Sequence, residues 1–159
     1  MEQKKDLTKK LIAESFQSLL EKHPFDKITI RMITDQAGLI RPTFYNHFQD
    51  KYELLSYIYL HELFADITKG VNYDNWYERL EGFLVNMLKD KRFYSNTLKS
   101  NEKIFEHYLF RSMHKLFIRF FYHAVAITRK RSDKAKFFAD FYSHGYCGII
   151  IAVSYTHLT

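Results

Sequence analysis

Apolar residues recur every three or four positions along most of the chain, and no stretch alternates apolar with polar residues long enough to make a strand. The pattern predicts an all-α protein. Leu7, Leu11, Ile12, Phe16, Leu19 and Leu20 make one stripe on a first helix, which must end before Pro24. Thr29 is placed to cap a second helix over about 30–36, and Gly38 can take the positive φ of a tight turn. Pro42 stands at the start of a third helix, where its missing N–H is not needed. Phe44 and Phe48, four apart, share that segment's inner face. Asp50 and Glu53 make a capping box for a fourth helix, expected to run past Leu54, Leu55, Ile58, Leu63, Phe64 and Ile67 and to break near Gly70. Further helices are predicted over 74–89, 91–98, 102–128 and 133–153.

Those later helices are dense in aromatic residues, from Tyr73 and Trp76 to Phe141. Aromatic stripes at helical spacing are core before they are a pocket. The change of character divides the chain into residues 1–55, a fourth helix linking to about 69, and a second domain over 70–159. With 159 residues, 47% of them apolar, there is enough material to bury a core. Lys4, Lys5, Lys9 and Lys10 lead into an amphipathic segment, unlike a secretory leader. The longest apolar run, Ile149 to Val153, is too short to span a bilayer. A single cysteine, Cys147, excludes an internal disulfide and reads as a small buried hydrophobe. The expectation is a cytoplasmic protein.

The net charge of +6 permits a polyanionic partner without requiring one. Residues 1–55 carry nine Lys/Arg against eight Asp/Glu, and residues 56–159 carry fifteen against ten. Much of the excess therefore falls outside the first domain, at Arg129-Lys130-Arg131 and its neighbours. Any case for nucleic acid must come from geometry. It comes from Ile33 to Lys51. Ile30, Ile33, Ala37, Leu39, Phe44 and Phe48 form an apolar wedge able to close on the first helix, with a sharp turn at Gly38. That is the build of a helix-turn-helix, whose second helix enters a major groove. Arg41, Pro42, Thr43, Tyr45, Asn46 and His47 are left facing outward. Arginine pairs with guanine and asparagine with adenine, while threonine, tyrosine and histidine can donate to phosphates. Thr29 and Arg31 at the start of helix two, and Lys51 with the first amides of helix four, complete a set of backbone grips.

The segment Ile28 to Leu55, "ITIRMITDQAGLIRPTFYNHFQDKYELL", resembles the DNA-binding segment of the tetracycline-repressor (TetR) family of transcriptional regulators. Thr29, Ala37-Gly38, Thr43-Phe44-Tyr45, His47-Phe48, Lys51 and Leu54-Leu55 carry the resemblance, which covers about residues 7–60. It implies an all-helical homodimer with an N-terminal three-helix reading head and a C-terminal helical regulatory and dimerisation bundle. It implies that Thr43, Tyr45, His47 and Lys51 grip phosphates, while Arg41, Pro42 and Asn46 read bases. Ile40 departs from the pattern, because the family carries a serine or threonine where the recognition helix needs its cap. Pro42 is also unusual, standing where glycine or another small residue is common. The later helices, with "FLVNMLKDKRFYSNTLKS" between them, are similar to the subgroup containing the regulator of dihydroxyacetone kinase genes. That likeness implies a C-terminal domain sensing a small-molecule effector or a partner protein.

Residues 137–152 are apolar on nearly every side, with Gly145, Gly148 and Ala152 permitting close approach. Phe137, Phe141, Gly145, Gly148 and Ala152 are the expected dimer interface, and a central helix of a monomeric bundle is the alternative. The resemblance implies one more helix after this segment, whereas "VSYTHLT" reads as neither a helix continuation nor a cap. A truncated end is the expectation. His107 and His114 are two turns apart, about 10.5 Å of rise, too far to share an ion unaided. No metal or cofactor is expected, and no glycine-rich phosphate loop or nucleophile–base pairing points to an enzyme. The reading is a regulator, expected to be a repressor, that binds a palindromic double-stranded operator as a homodimer. Its rivals are a protein-interaction adaptor on the same fold and, more remotely, an enzyme or metal-binding bundle.

Overall fold

In the computed structural model, which describes residues 2–72, 74–128 and 133–157, every regular element is helical. Helix α1 spans Glu2–Leu20, and a 3-10 turn, Phe25–Lys27, leads to α2 at Ile30–Ala37 and α3 at Arg41–Tyr45. Helix α4, Lys51–Ile58, passes through a π-helical turn at Tyr59–Leu63 into the short α5, Ala65–Thr68. Then come α6 at Trp76–Lys89, α7 at Lys91–Thr128 and α8 at Asp133–His157. Arg129-Lys130-Arg131 and Tyr73 lie outside the described residues, as do Leu158 and Thr159.

Local chemistry sets the angular part of this path. Thr29 caps α2, its hydroxyl oxygen accepting from the Met32 N–H at 3.3 Å. Gly38 ends the helix at φ 66° and ψ 31°. Its N–H donates to Asp35 O, and the Leu39 N–H donates back to Thr34 O at 2.9 Å. This pair of bonds is a Schellman closure, and only the positive φ demands glycine, since a Cβ there would meet nothing within 4 Å. Asp50 caps α4 by accepting from the N–H groups of Tyr52 and Glu53, each at 2.8 Å. Glu53 reaches back to the Gln49 N–H, one residue before the Asp50 position expected of a capping box.

One continuous core runs from Ile12 in α1 to Ile150 in α8. Ile12, Phe16, Ile33, Phe44 and Phe48 close the helix-turn-helix, and Tyr59, Phe64 and Phe105 carry the packing onward. Two of the residues expected in the α1 stripe do not join it. Leu7 is 70% exposed and Leu11 42%, because they lie off the face of α1 that Ile12, Ala13, Phe16 and Leu20 bury.

Helix α7 packs along α8 in antiparallel fashion, as the pairs Glu102–Tyr155, Phe110–His144, His114–Asp140 and Phe121–Phe138 show. Two expectations are corrected here. The fourth helix is not regular to Ile67, because Phe64 N–H bonds five residues back to Tyr59 O. The expected division into helices at 91–98 and 102–128 is met, since α7 breaks at Asn101, whose φ of −150° and ψ of 46° are not helical. Residues 153–157 continue α8, held by the buried Ser154 hydroxyl donating to Ile150 O and by Tyr155 donating to Glu102. In the single chain one face of α8 stays uncovered. Ala135, Ala139, Ser143, Cys147 and Ile150 face inward, while Phe137 and Phe141 are 65% and 64% exposed. Among the described residues no helix is long and apolar enough to cross a membrane.

Candidate nucleic-acid interface

The N-terminal polar residues meet on one small scaffold. Helix α3 has only five residues, and Phe44 is completely buried at its centre, with Phe48 following 5.8 Å away ring to ring. Anchoring those two rings leaves Arg41, Pro42, Tyr45 and Asn46 exposed, and Thr43 and His47 half-buried. Tyr45 stacks its edge on Phe44 at 5.6 Å, so its ring is directed without being covered. Tyr45 remains 51% exposed. Its hydroxyl lies 3.5 Å from the Arg41 guanidinium, one turn apart on the same face. Asn46 closes the helix, its N–H bonded to Pro42 O at 3.1 Å, and leaves its amide outward.

Ile40 occupies the N-cap position with extended φ and ψ and no side-chain cap bond. At 69% exposure it neither caps nor packs. Pro42 contributes a fixed φ, which partly offsets the missing cap. His47 is held below its ordinary pKa, first by burial and then by the positive charges of Lys9 and Lys5. Helix α1 thus brings two lysines into the electrostatic neighbourhood of α3.

Arg31, exposed at the start of α2, lies 3.6 Å from Asp35 in a solvated i,i+4 pair worth little. The phosphate seat expected at α4 is filled from within the chain. Asp50 takes the first amides, and the Lys51 ammonium donates to Phe25 O at 2.9 Å, Ile28 O at 3.0 Å and Asp26 O at 3.3 Å. The same ammonium lies 4.5 Å over the Phe25 ring. Burial lowers the Lys51 pKa, and the Asp26 charge opposes that shift. Lys51 therefore staples the 3-10 turn that delivers Thr29 to its capping position.

A second staple holds the same turn, and sequence reading missed it. The Asn96 amide on α7 donates to Leu20 O at 2.9 Å and His23 O at 2.6 Å. Its carbonyl oxygen accepts from the Phe25 N–H at 2.7 Å. Ser100 adds a bond to Asp26 at 3.3 Å. These partners are separated by 71 to 76 residues, so no local pattern announces them. Among the C-terminal helices, a cavity of about 230 Å³ lies between residues 71–72 and α7, lined by Leu116, Arg119, Phe120 and His123.

Comparison with known proteins gives a consistent result. Residues 17–58 match the family described as bacterial regulatory proteins, tetR family, and residues 74–152 match the transcriptional regulator C-terminal region. The HTH-type dhaKLM operon transcriptional activator DhaS of Lactococcus lactis subsp. lactis (strain IL1403) is 30% identical over 102 residues. That alignment covers 64% of this chain and 54% of the relative, so it spans about half the relative's length. A solved structure of a dihydroxyacetone kinase operon activator, DhaS, superposes with a TM-score of 0.74 over 95% of this chain and 87% of its own. At 23% identity that likeness speaks for the fold alone.

Proposed function

Because the chain belongs to the tetR family of bacterial regulatory proteins, we propose that it reads a two-fold symmetric operator as a homodimer, with residues 1–55 as reading head. Residues 70–159 form the regulatory and dimerisation domain, with α4 and α5 as the link. The observation that carries this reading is the exposed row Arg41, Pro42, Tyr45 and Asn46 on a helix fixed by Phe44 and Phe48. Arg41 and Asn46 have the donor patterns that distinguish guanine and adenine, and Pro42 offers an apolar edge. Tyr45, Thr43, His47, Thr29 and Arg31 hold phosphates. Lys51 serves as the staple beneath them.

Dimerisation is assigned to the uncovered face of α8. Phe137, Phe141, Gly145, Gly148 and Ala152 fall three or four apart and are all exposed. A Cβ built at Gly145 or Gly148 meets nothing within 4 Å, so a second helix can approach closely there. The 230 Å³ cavity, smaller than ordinary drug-sized sites, would take only a small effector, and a partner protein on the same domain is the alternative. A cytoplasmic site of action follows from this role.

The direction of control is read from the L. lactis relative, which is named an operon activator. On that similarity activation replaces the expected repression. Footprinting on the DNA upstream of neighbouring operons tests the reading. Two protected half-sites centred about 34–36 Å apart, one helical turn, are expected. Deleting the gene should lower transcription from that promoter; a rise would restore the repressor, and an absence of protection would remove operator binding.

A further inference from the structure

We propose that the open groove between the α1–turn segment and the first turns of α7 is a binding site for a compact multivalent anion of the pyrophosphate or phosphate-ester class. The groove measures about 680 Å³, within the range of small-ligand sites. Lys22 stands on one wall and Lys91, Arg92 and Lys99 on the other, with Glu21 as the one carboxylate in the lining. None of these four cations has an ion-pair partner among the described residues. Like charges gathered around one depression repel, and an anion seated among them relieves that repulsion.

The floor is built, not incidental. Asn96 lines the groove and spends its amide on Leu20 O, His23 O and the Phe25 N–H, tying the two walls together. With the amide so engaged, the lysines and Arg92 remain as the charged donors, with Ser95 and His23 beside them in the lining. Arginine offers a planar fork for two phosphate oxygens, and lysines add point charges around it. An anion bridging the walls would hold the 3-10 turn against α7, the turn on which Thr29 and Lys51 also depend. The binding itself does not rest on the regulator reading, and only this coupling does.

Calorimetric titration of the full chain with sodium pyrophosphate, at ionic strength fixed with sodium chloride, tests the site. Saturable binding of one anion per chain is expected. The triple variant Lys91→Gln, Arg92→Gln and Lys99→Gln should weaken it by about tenfold or more. A control variant, Lys134→Gln with Lys136→Gln on the exposed side of α8, should leave it unchanged. No saturable binding, or equal loss in both variants, overturns the proposal. So does a third outcome, in which the triple variant binds operator DNA more weakly without pyrophosphate and with a salt slope smaller by about three. That result would assign the groove to the DNA backbone.

Discussion

Lys51 shows how a residue legible by type can be illegible by role. Its position before Leu54-Leu55 pointed to phosphate, yet its three donors are spent on Phe25, Asp26 and Ile28 carbonyls more than twenty residues away. Lys51→Met keeps the aliphatic stem and removes those donors. It should cost about 1–2 kcal/mol in a denaturant melt, discounted for partial exposure. Because the ammonium is occupied, the salt slope of DNA binding should stay the same; a slope smaller by about one would instead make Lys51 a phosphate contact. His47 gives a prediction in pH. Burial and two lysines hold its imidazole neutral in the free protein. Neighbouring DNA phosphates would favour the protonated form, so binding should take up a proton and strengthen as pH falls from about 7.5 to about 6. His47→Gln should abolish that rise. In the free protein the sign reverses: a depressed pKa favours protonation of the unfolded chain, so stability is lost as pH falls. Asn46 was legible as exposed, because Phe44 and Phe48 fix the inward face by spacing alone.

At the level of elements, caps and turns were readable because their chemistry is local. Thr29, Gly38 and Asp50 act within three residues of themselves, and each does in the structure what its type suggests. Ile40 is the exception, an exposed β-branched residue at a bare N-cap. Ile40→Ser should add a cap bond and raise stability by about 0.5–2 kcal/mol in thermal or denaturant melts. A loss of stability would show that Ile40 packs against something in the free protein. The π-turn at Tyr59–Leu63 and the helical run to His157 were not readable. Each depends on tertiary partners: the Tyr59–Phe64–Phe105 ring cluster beside the π-turn, and Tyr155 bonded across to Glu102. Leu7 and Leu11, assigned to the stripe, lie off the face of α1 that Ile12, Phe16 and Leu20 bury.

On the scale of the whole molecule, the all-α architecture followed from the sequence period, while the joint between head and bundle did not. Asn96 and the groove around it join segments some seventy residues apart, and one continuous core leaves no break at the linking helix. The α8 face gives the assembly prediction. Phe137→Asp with Phe141→Asp should shift sedimentation from dimer to monomer at micromolar concentration without loss of helical signal, since both rings are exposed in one chain. A variant that still sediments as a dimer would place the interface elsewhere. The central claim, that the row on α3 reads base sequence, is met most directly by a fluorescence-anisotropy titration. Labelled duplex from the protected upstream region is compared with a scrambled duplex, for the native chain and for Asn46→Ala, at two salt concentrations. The native chain should prefer the natural duplex by about a thousandfold or more, with affinity falling as salt rises. Asn46→Ala should lose selectivity by about tenfold while keeping the salt slope. Equal affinity of the native chain for both duplexes would contradict the account.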